Sequence, residues 1–212
     1  MPCVDLSGFI EENMWSFGSP LDPVRIKSIG DLDKEGWVSH NVGMGILSGT
    51  YIETGAHLFK GFPSIDSLPV DTFIVDALVV RVPKGPLERV NATELTTCLA
   101  RRADEQAIIV DTGWHRRWGQ PDFVGKSPHL AADAAELLAA SRFTIIASDM
   151  VCFDPPDAPR MERLEKIFRS GALILSPLVN LTNVTADTVK LIALPLKLKG
   201  LNASPCRAVA CW

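Results

Sequence analysis

The densest run of side chains able to do chemistry is Ser48-Gly49-Thr50-Tyr51-Ile52-Glu53-Thr54-Gly55-Ala56-His57. In extended backbone alternate residues share a face, so Tyr51, Glu53 and, after a turn at Gly55, His57 project to one side. A phenol, a carboxyl and an imidazole grouped in this way can move protons near neutral pH. Spacing alone also fits a surface strand whose polar face holds three titratable groups. Tyr51 is the only tyrosine of the chain. Tyr51, Glu53 and His57 are the candidate catalytic residues.

A second cluster is Gly113-Trp114-His115-Arg116-Arg117-Trp118, in a loop after an aliphatic segment. Two tryptophans there can line an aromatic pocket for a planar ligand, or pack beneath the loop as core. Trp15 and Phe17, beside the Pro20–Pro23 turn, form a weaker aromatic patch. Trp15, Trp114 and Trp118 are therefore the candidate substrate-binding residues, on residue type alone. Arg116 and Arg117 read as solvated charges more readily than as an anion clamp. There is no Gly-x-Gly-x-x-Gly, P-loop, Gly-x-Ser-x-Gly or His-Glu-x-x-His pattern. His40, His57, His115 and His129 include no pair at zinc-binding spacing, so neither a metal site nor a cofactor is assigned.

The elements that must position these groups are mostly extended. Thr72–Val82, Ala107–Asp111, Phe143–Ser148, Ala172–Leu175 and Val189–Lys199 are aliphatic, β-branched and bounded by Gly, Pro or Asp. The strict alternation Leu196-Lys197-Leu198-Lys199 predicts a strand with one wet face. Helices are predicted from the Ser127-Pro128 cap through Leu137 and Leu138, and from Pro159 to Ser170 with Gly171 closing it. A third starts at Asn91, where Glu94 completes a capping-box pattern. The first 70 residues carry no helix signal and read as strand and loop. Strands interleaved with single helices predict one mixed α/β domain over residues 1–212.

Composition narrows the class. The 212 residues include 21 Lys plus Arg and 25 Asp plus Glu, a net charge of -4, with 47% hydrophobic residues. These are values of an ordinary folded domain, and the acidic balance argues against nucleic acid as a partner. No apolar run approaches the roughly 18 residues of a membrane span. Met1 to Trp15 lacks the basic residues of a secretory signal. Cys3, Cys98, Cys152, Cys206 and Cys211 are odd in number and scattered. They predict neither a disulfide framework nor a zinc knuckle, and favour a reducing, cytoplasmic setting.

With these residues laid out, the chain resembles the cyclase family that includes bacterial kynurenine formamidase and isatin hydrolase. Val4-Asp5-Leu6-Ser7 resembles the family's opening Asp-Leu-Ser, and Asp111-Thr112-Gly113-Trp114 with Arg117-Trp118-Gly119 its Thr-Gly-Trp segment. Leu194 to Gly200, then Ser204-Pro205 and Arg207, is similar to its C-terminal strand. The resemblance implies the family's swivelling β/β/α fold, a small-molecule substrate and a homodimer or higher homo-oligomer. It also exposes departures. The metal-holding signature His-x-Gly-Thr-His-x-Asp-x-Pro-x-His reads here Leu47-Ser48-Gly49-Thr50-Tyr51-Ile52-Glu53-Thr54-Gly55-Ala56-His57. Gly49, Thr50 and His57 match, while Leu47 and Tyr51 replace two histidines and Glu53 the aspartate. A later histidine and glutamate of the family align with Leu164 and Ser176. Leucine has no lone pair to offer, and a hydroxyl is a poor stand-in for imidazole on zinc or manganese.

The function expected is metal-independent acid–base catalysis on a carbonyl-rich small molecule, such as cyclisation or dehydration of a polyketide-type intermediate. His57 or Glu53 would remove a proton beside a carbonyl, and Tyr51 would donate to the developing oxyanion. Two alternatives stay open: a formamidase-like amide or lactam hydrolase with an altered metal site using Glu53 and His57, and a non-catalytic ligand-binding member.

Overall fold

The computed structural model describes residues 1–212. Its first half holds β1 (Cys3–Asp5), β2 (Arg25–Ser28), α1 (Leu32–Glu35), β3 (His40–Gly43), β4 (Tyr51–Glu53), β5 (Ile74–Arg81), β6 (Arg89–Val90) and α2 (Ala92–Leu99). Its second half holds β7 (Ala107–Asp111), β8 (His129–Leu130), α3 (Ala132–Ala140), β9 (Ile145–Ser148), α4 (Glu162–Arg169), β10 (Leu173–Ser176), β11 (Thr188–Pro195) and β12 (Ala203–Cys211). Eight strands form one sheet in the order β1-β12-β11-β5-β7-β9-β10-β4. The central run β5-β7-β9-β10 is parallel, and its strands are near-continuous aliphatic runs because both faces are covered. β4 pairs with β10 on one side and with the first residues of β12 on the other, which closes the sheet into a barrel.

Alternation divides the side chains between two cores. Ile52, Ala77, Ile109, Ala147, Leu175 and Leu191 fill the interior. Leu78, Val80, Ile108 and Ile146 face outward, beneath Leu95 of α2, Leu138 of α3 and Phe168 of α4. The mixed α/β class read from the interleaved segments is the one observed.

Several boundaries differ from the sequence expectation for identifiable reasons. The capping box forms, with Glu94 accepting the Asn91 N–H at 2.9 Å, and Gly171 closes α4 with φ +88. α3, however, starts at Ala132 rather than at Ser127-Pro128. Leu130 and Ala131 give their N–H groups to Phe153 and Val90, and the Ser127 hydroxyl accepts from Val151 N, so tertiary pairing takes the backbone a helix would need. Thr72 and Phe73 belong to a 3-10 turn before β5. The alternating Leu196–Lys199 segment is a turn past the end of β11, where Leu196 N donates to the Ser204 hydroxyl at 3.0 Å. The first 70 residues do contain a helix, the single turn α1, capped by Asp31. β12, the longest strand, was not among the predicted segments because Pro205 and Arg207 interrupt its aliphatic pattern. Pro205 lies beside the place where β12 changes partner from β4 to β11.

The cysteine expectation is overturned. Cys3 of β1 lies opposite Cys211 of β12, with Cα atoms 4.2 Å apart, and the two are disulfide-bonded. A pairing between the first and last strands is a matter of register, which spacing 208 residues apart does not reveal. The argument from unpaired cysteines to a reducing compartment falls with it. No helix is long and apolar enough to cross a membrane.

Candidate functional site

β4 turns Ile52 into the barrel and presents Tyr51 and Glu53 on the opposite face. Register places Ser176 of β10 opposite Tyr51, and Ile174 opposite Glu53. The chain then leaves β4 through a 3-10 turn, Gly55–His57, capped by Thr54. The Thr54 hydroxyl accepts from Ala56 N at 3.1 Å and donates to the Pro63 carbonyl at 2.7 Å. A Cβ on Gly55 would lie 2.4 Å from the Phe62 ring, so glycine lets this turn pack. The turn carries His57 Nδ1 to 3.7 Å from Glu53 Oε2 and 3.3 Å from Asn202 Nδ2.

Tyr51, Glu53 and His57 thus share one cavity of about 300 Å³, together with Leu47, Leu164 and Ser176. The six positions that the family resemblance singled out converge there from β4, its flanking turns, α4 and β10. Leu164 is brought in by Asp154, whose two oxygens accept the Arg163 and Leu164 N–H groups at 2.9 and 3.0 Å. This acid fixes the start of α4 from the loop after β9, a capping distance no local sequence pattern signals.

Burial governs the electrostatics. Glu53 is 4% exposed, its Oε2 has no hydrogen-bond partner, and its carboxyl is pushed up to about 8. Burial lowers His57 below its ordinary value of 6.5. At neutral pH the pair is therefore a protonated carboxyl beside a neutral imidazole. Tyr51 is raised well above the usual phenol range by burial, with Glu53 and Cys152 adding to the rise. The Ser176 hydroxyl offsets part of it, yet Ser176 Oγ makes no hydrogen bond of normal geometry. Cys152, also lining the cavity, is pushed up to about 12 by burial, which makes it a poor nucleophile.

The donor set does not fit a divalent cation. Two of the six positions are leucines, two are neutral hydroxyls, and the remaining carboxyl and imidazole fall short of the three or four ligands such an ion needs. A second polar group, Asp111, His115 and Asp149, has ligand atoms within 4.8 Å of one another. Its carboxylates are already engaged: Asp149 accepts from Thr112 N, Thr112 Oγ1 and His115 N, and Asp111 from Gly113 N. This group fastens the loop after β7.

None of the three tryptophans lines the cavity. Trp114 is 2% exposed, stacks on Phe123 and donates its indole N–H to the Phe123 carbonyl at 2.9 Å. Trp15 and Trp118 meet edge to face, 5.5 Å between centroids, and both pack on Phe123. They take the packing alternative that residue type left open; Phe17, packed on Trp15, does reach the cavity. Sequence reasoning missed Asn202, Asp154, Cys152 and Arg160. Of these, Asn202 lies 145 residues from His57 and carries no motif that would have flagged it.

Comparison with known proteins agrees with this fold. The sequence matches the family described as "Putative cyclase" over residues 4–155, well over half of its length. The chain belongs to that family. Among curated proteins, kynurenine formamidase of Bacillus thuringiensis (strain Al Hakam) is 31% identical over 180 residues, covering 83% of this chain and 82% of the relative. Kynurenine formamidase of Salinibacter ruber is 30% identical over 169 residues, covering 76% and 74%. Isatin hydrolase A from Labrenzia aggregata, solved bound to benzyl benzoate, superposes with a TM-score of 0.87 at 22% identity, covering 99% of this chain and 93% of that one.

Proposed function

We propose that this cyclase-family protein is an enzyme that acts on a small carbonyl compound by metal-independent proton transfer. One observation carries the reading: a buried Glu53 carboxyl without a hydrogen-bond partner lies 3.7 Å from a neutral His57, in a cavity lined also by Leu47 and Leu164, which the family resemblance aligns with metal-holding histidines. Environments that push two titratable groups apart assign their roles. His57 is the base and takes a proton from the carbon beside the carbonyl. Glu53 and Tyr51 donate hydrogen bonds to the carbonyl oxygen as charge develops on it. The enolate carbon then attacks a second carbonyl of the same substrate, whose oxygen takes the proton from His57, or a β-hydroxyl leaves as water with that proton. Trp15, Trp114 and Trp118 serve by packing beneath the cavity wall that Val151 and Cys152 supply. The second reading, hydrolysis of an amide or lactam, is favoured by the names of the curated relatives; there His57 would take the proton from water instead.

Metal content after dialysis, read by elemental mass spectrometry, tests the proposal. Content near zero, unchanged after incubation with zinc or manganese, is expected. One or two ions per chain would sink the metal-independent mechanism. The pH profile is a further check: activity should rise as His57 loses its proton below pH 6.5 and fall above about pH 8 as Glu53 ionises. A homo-oligomer belongs to the same proposal. Leu32, Trp37, Val38 and Val42, on or beside the β2–β3 hairpin, are exposed apolar side chains that an assembly would cover. Light scattering decides that point.

A further inference from the structure

The cavity is polar at its floor, apolar along its walls and positive at its mouth. From this we infer that it takes a carboxylate-bearing carbonyl compound, held with its carbonyl oxygen on Ser176 and Glu53 and its carboxylate on Arg160. The inference rests on the cavity being the catalytic site.

The floor is defined by two orphaned groups. Ser176 Oγ and Glu53 Oε2 are buried without a hydrogen-bond partner, and they lie on neighbouring strands facing the same cavity. A buried polar group left unpaired is destabilising, so two such groups in one wall call for an explanation. A hydroxyl and a protonated carboxyl are both donors. A carbonyl oxygen, with two lone pairs, satisfies them together, and Tyr51 adds its hydrogen bond once the oxygen becomes an oxyanion with a third lone pair.

Charge balance defines the mouth. Asp154 is matched by Arg163 at 3.7 Å and by the two N–H groups at the start of α4. Burial keeps Glu53, His57, Tyr51 and Cys152 uncharged at neutral pH. Arg160 remains, exposed at the rim and engaged in none of the chain's ion pairs or side-chain hydrogen bonds. A cleft with one unmatched positive charge and apolar walls concentrates anionic ligands, and guanidinium binds carboxylate through two parallel hydrogen bonds. Leu21, Leu47, Phe153 and Leu164 lie between the two ends and suit an aryl or alkyl body.

The test is calorimetric titration with aryl keto acids in which one to four carbons separate carbonyl from carboxylate, each paired with its methyl ester. For the best-fitting length, the acid is expected to bind at least about tenfold tighter than the ester, in line with a charge-assisted hydrogen bond. Arg160→Ala should erase that difference and Arg160→Lys keep part of it. Arg160 is exposed, so folding is not at stake. Ser176→Ala should weaken acid and ester alike, with melting temperature checked because the site is buried. Equal binding of acid and ester at every length, an Arg160→Ala protein that still prefers the acid, or no binding by any member would overturn the inference. These titrations read binding rather than turnover. Full activity in His57→Ala would overturn the acid–base reading while leaving the Arg160 difference intact.

Discussion

Two buried carboxyl groups, Asp149 just past the end of β9 and Glu53 at the end of β4, are treated in opposite ways by their surroundings. Burial pushes both upward. Around Asp149, the N–H and hydroxyl of Thr112 and the N–H of His115 pull back, at 2.7 to 3.0 Å. Around Glu53 nothing does: Oε2 has no partner, and the side chain faces a cavity instead of a loop. A carboxylate wrapped in backbone donors holds structure together. A carboxyl left unsatisfied next to an imidazole and an open volume is, under the proposed function, the one that meets a ligand.

The largest effect should separate the two in activity. His57→Ala is expected to cut turnover by about 10²–10⁴-fold, the usual range for a positioned general base, with the melting temperature close to wild type. Asp149→Ala should do the reverse and act through stability. It strands Thr112 N and His115 N in the interior, a loss on the order of 2–5 kcal/mol by denaturant titration, because each buried donor left without its acceptor costs about 1–3 kcal/mol. If Asp149→Ala abolished turnover at unchanged stability, the distinction between the two carboxyls would be wrong.

Glu53 itself offers a test with a definite sign. Its folded-state value of about 8 lies above the ordinary 4.5, so the native state holds the proton more tightly than the unfolded chain. Glu53 should therefore subtract stability as pH rises from about 4.5 to about 8, in total roughly 5 kcal/mol at about 1.4 kcal/mol per unit. Glu53→Gln removes the titration. Its stability should lack this fall over that window, so that the difference from wild type grows with pH up to about 8, while its activity falls. Parallel curves for the two proteins would show that Glu53 is ionised in the fold.

How much of this was legible in the sequence depends on whether the determinant was local. The capping box at Asn91, the strand Ala107–Asp111 and the closing Gly171 are local patterns, and each formed where its residues indicated. So did the grouping of Tyr51, Glu53 and His57, because strand alternation and one turn suffice to bring them together. What failed was set at a distance. Cys3 meets Cys211 through strand register, Asn202 reaches His57 through barrel closure, and Asp154 caps α4 across a loop. The tryptophans failed differently: residue type cannot say whether a ring lines a pocket or packs behind one, and Phe123 is what gathers them.

The finest form of the comparison uses two buried serines at the ends of adjacent parallel strands. Ser148 of β9 donates to the Val110 carbonyl at 2.7 Å and accepts from Met150 N at 3.1 Å. Ser176 of β10 does neither, although it is buried to the same degree. Replacing a satisfied hydroxyl leaves its partners unpaired, so Ser148→Ala should cost about 1–2 kcal/mol. Replacing a hydroxyl that makes no hydrogen bond of normal geometry by a methyl group removes a desolvation penalty and gives up only the weak interaction with Tyr51. Ser176→Ala should thus be neutral or stabilising by up to about 1 kcal/mol, measured side by side with Ser148→Ala in urea. The two values should differ in sign or at least in size. Equal losses would mean that Ser176 is bonded within the fold, and the floor of the cavity would then be a structural contact rather than a surface that meets a ligand.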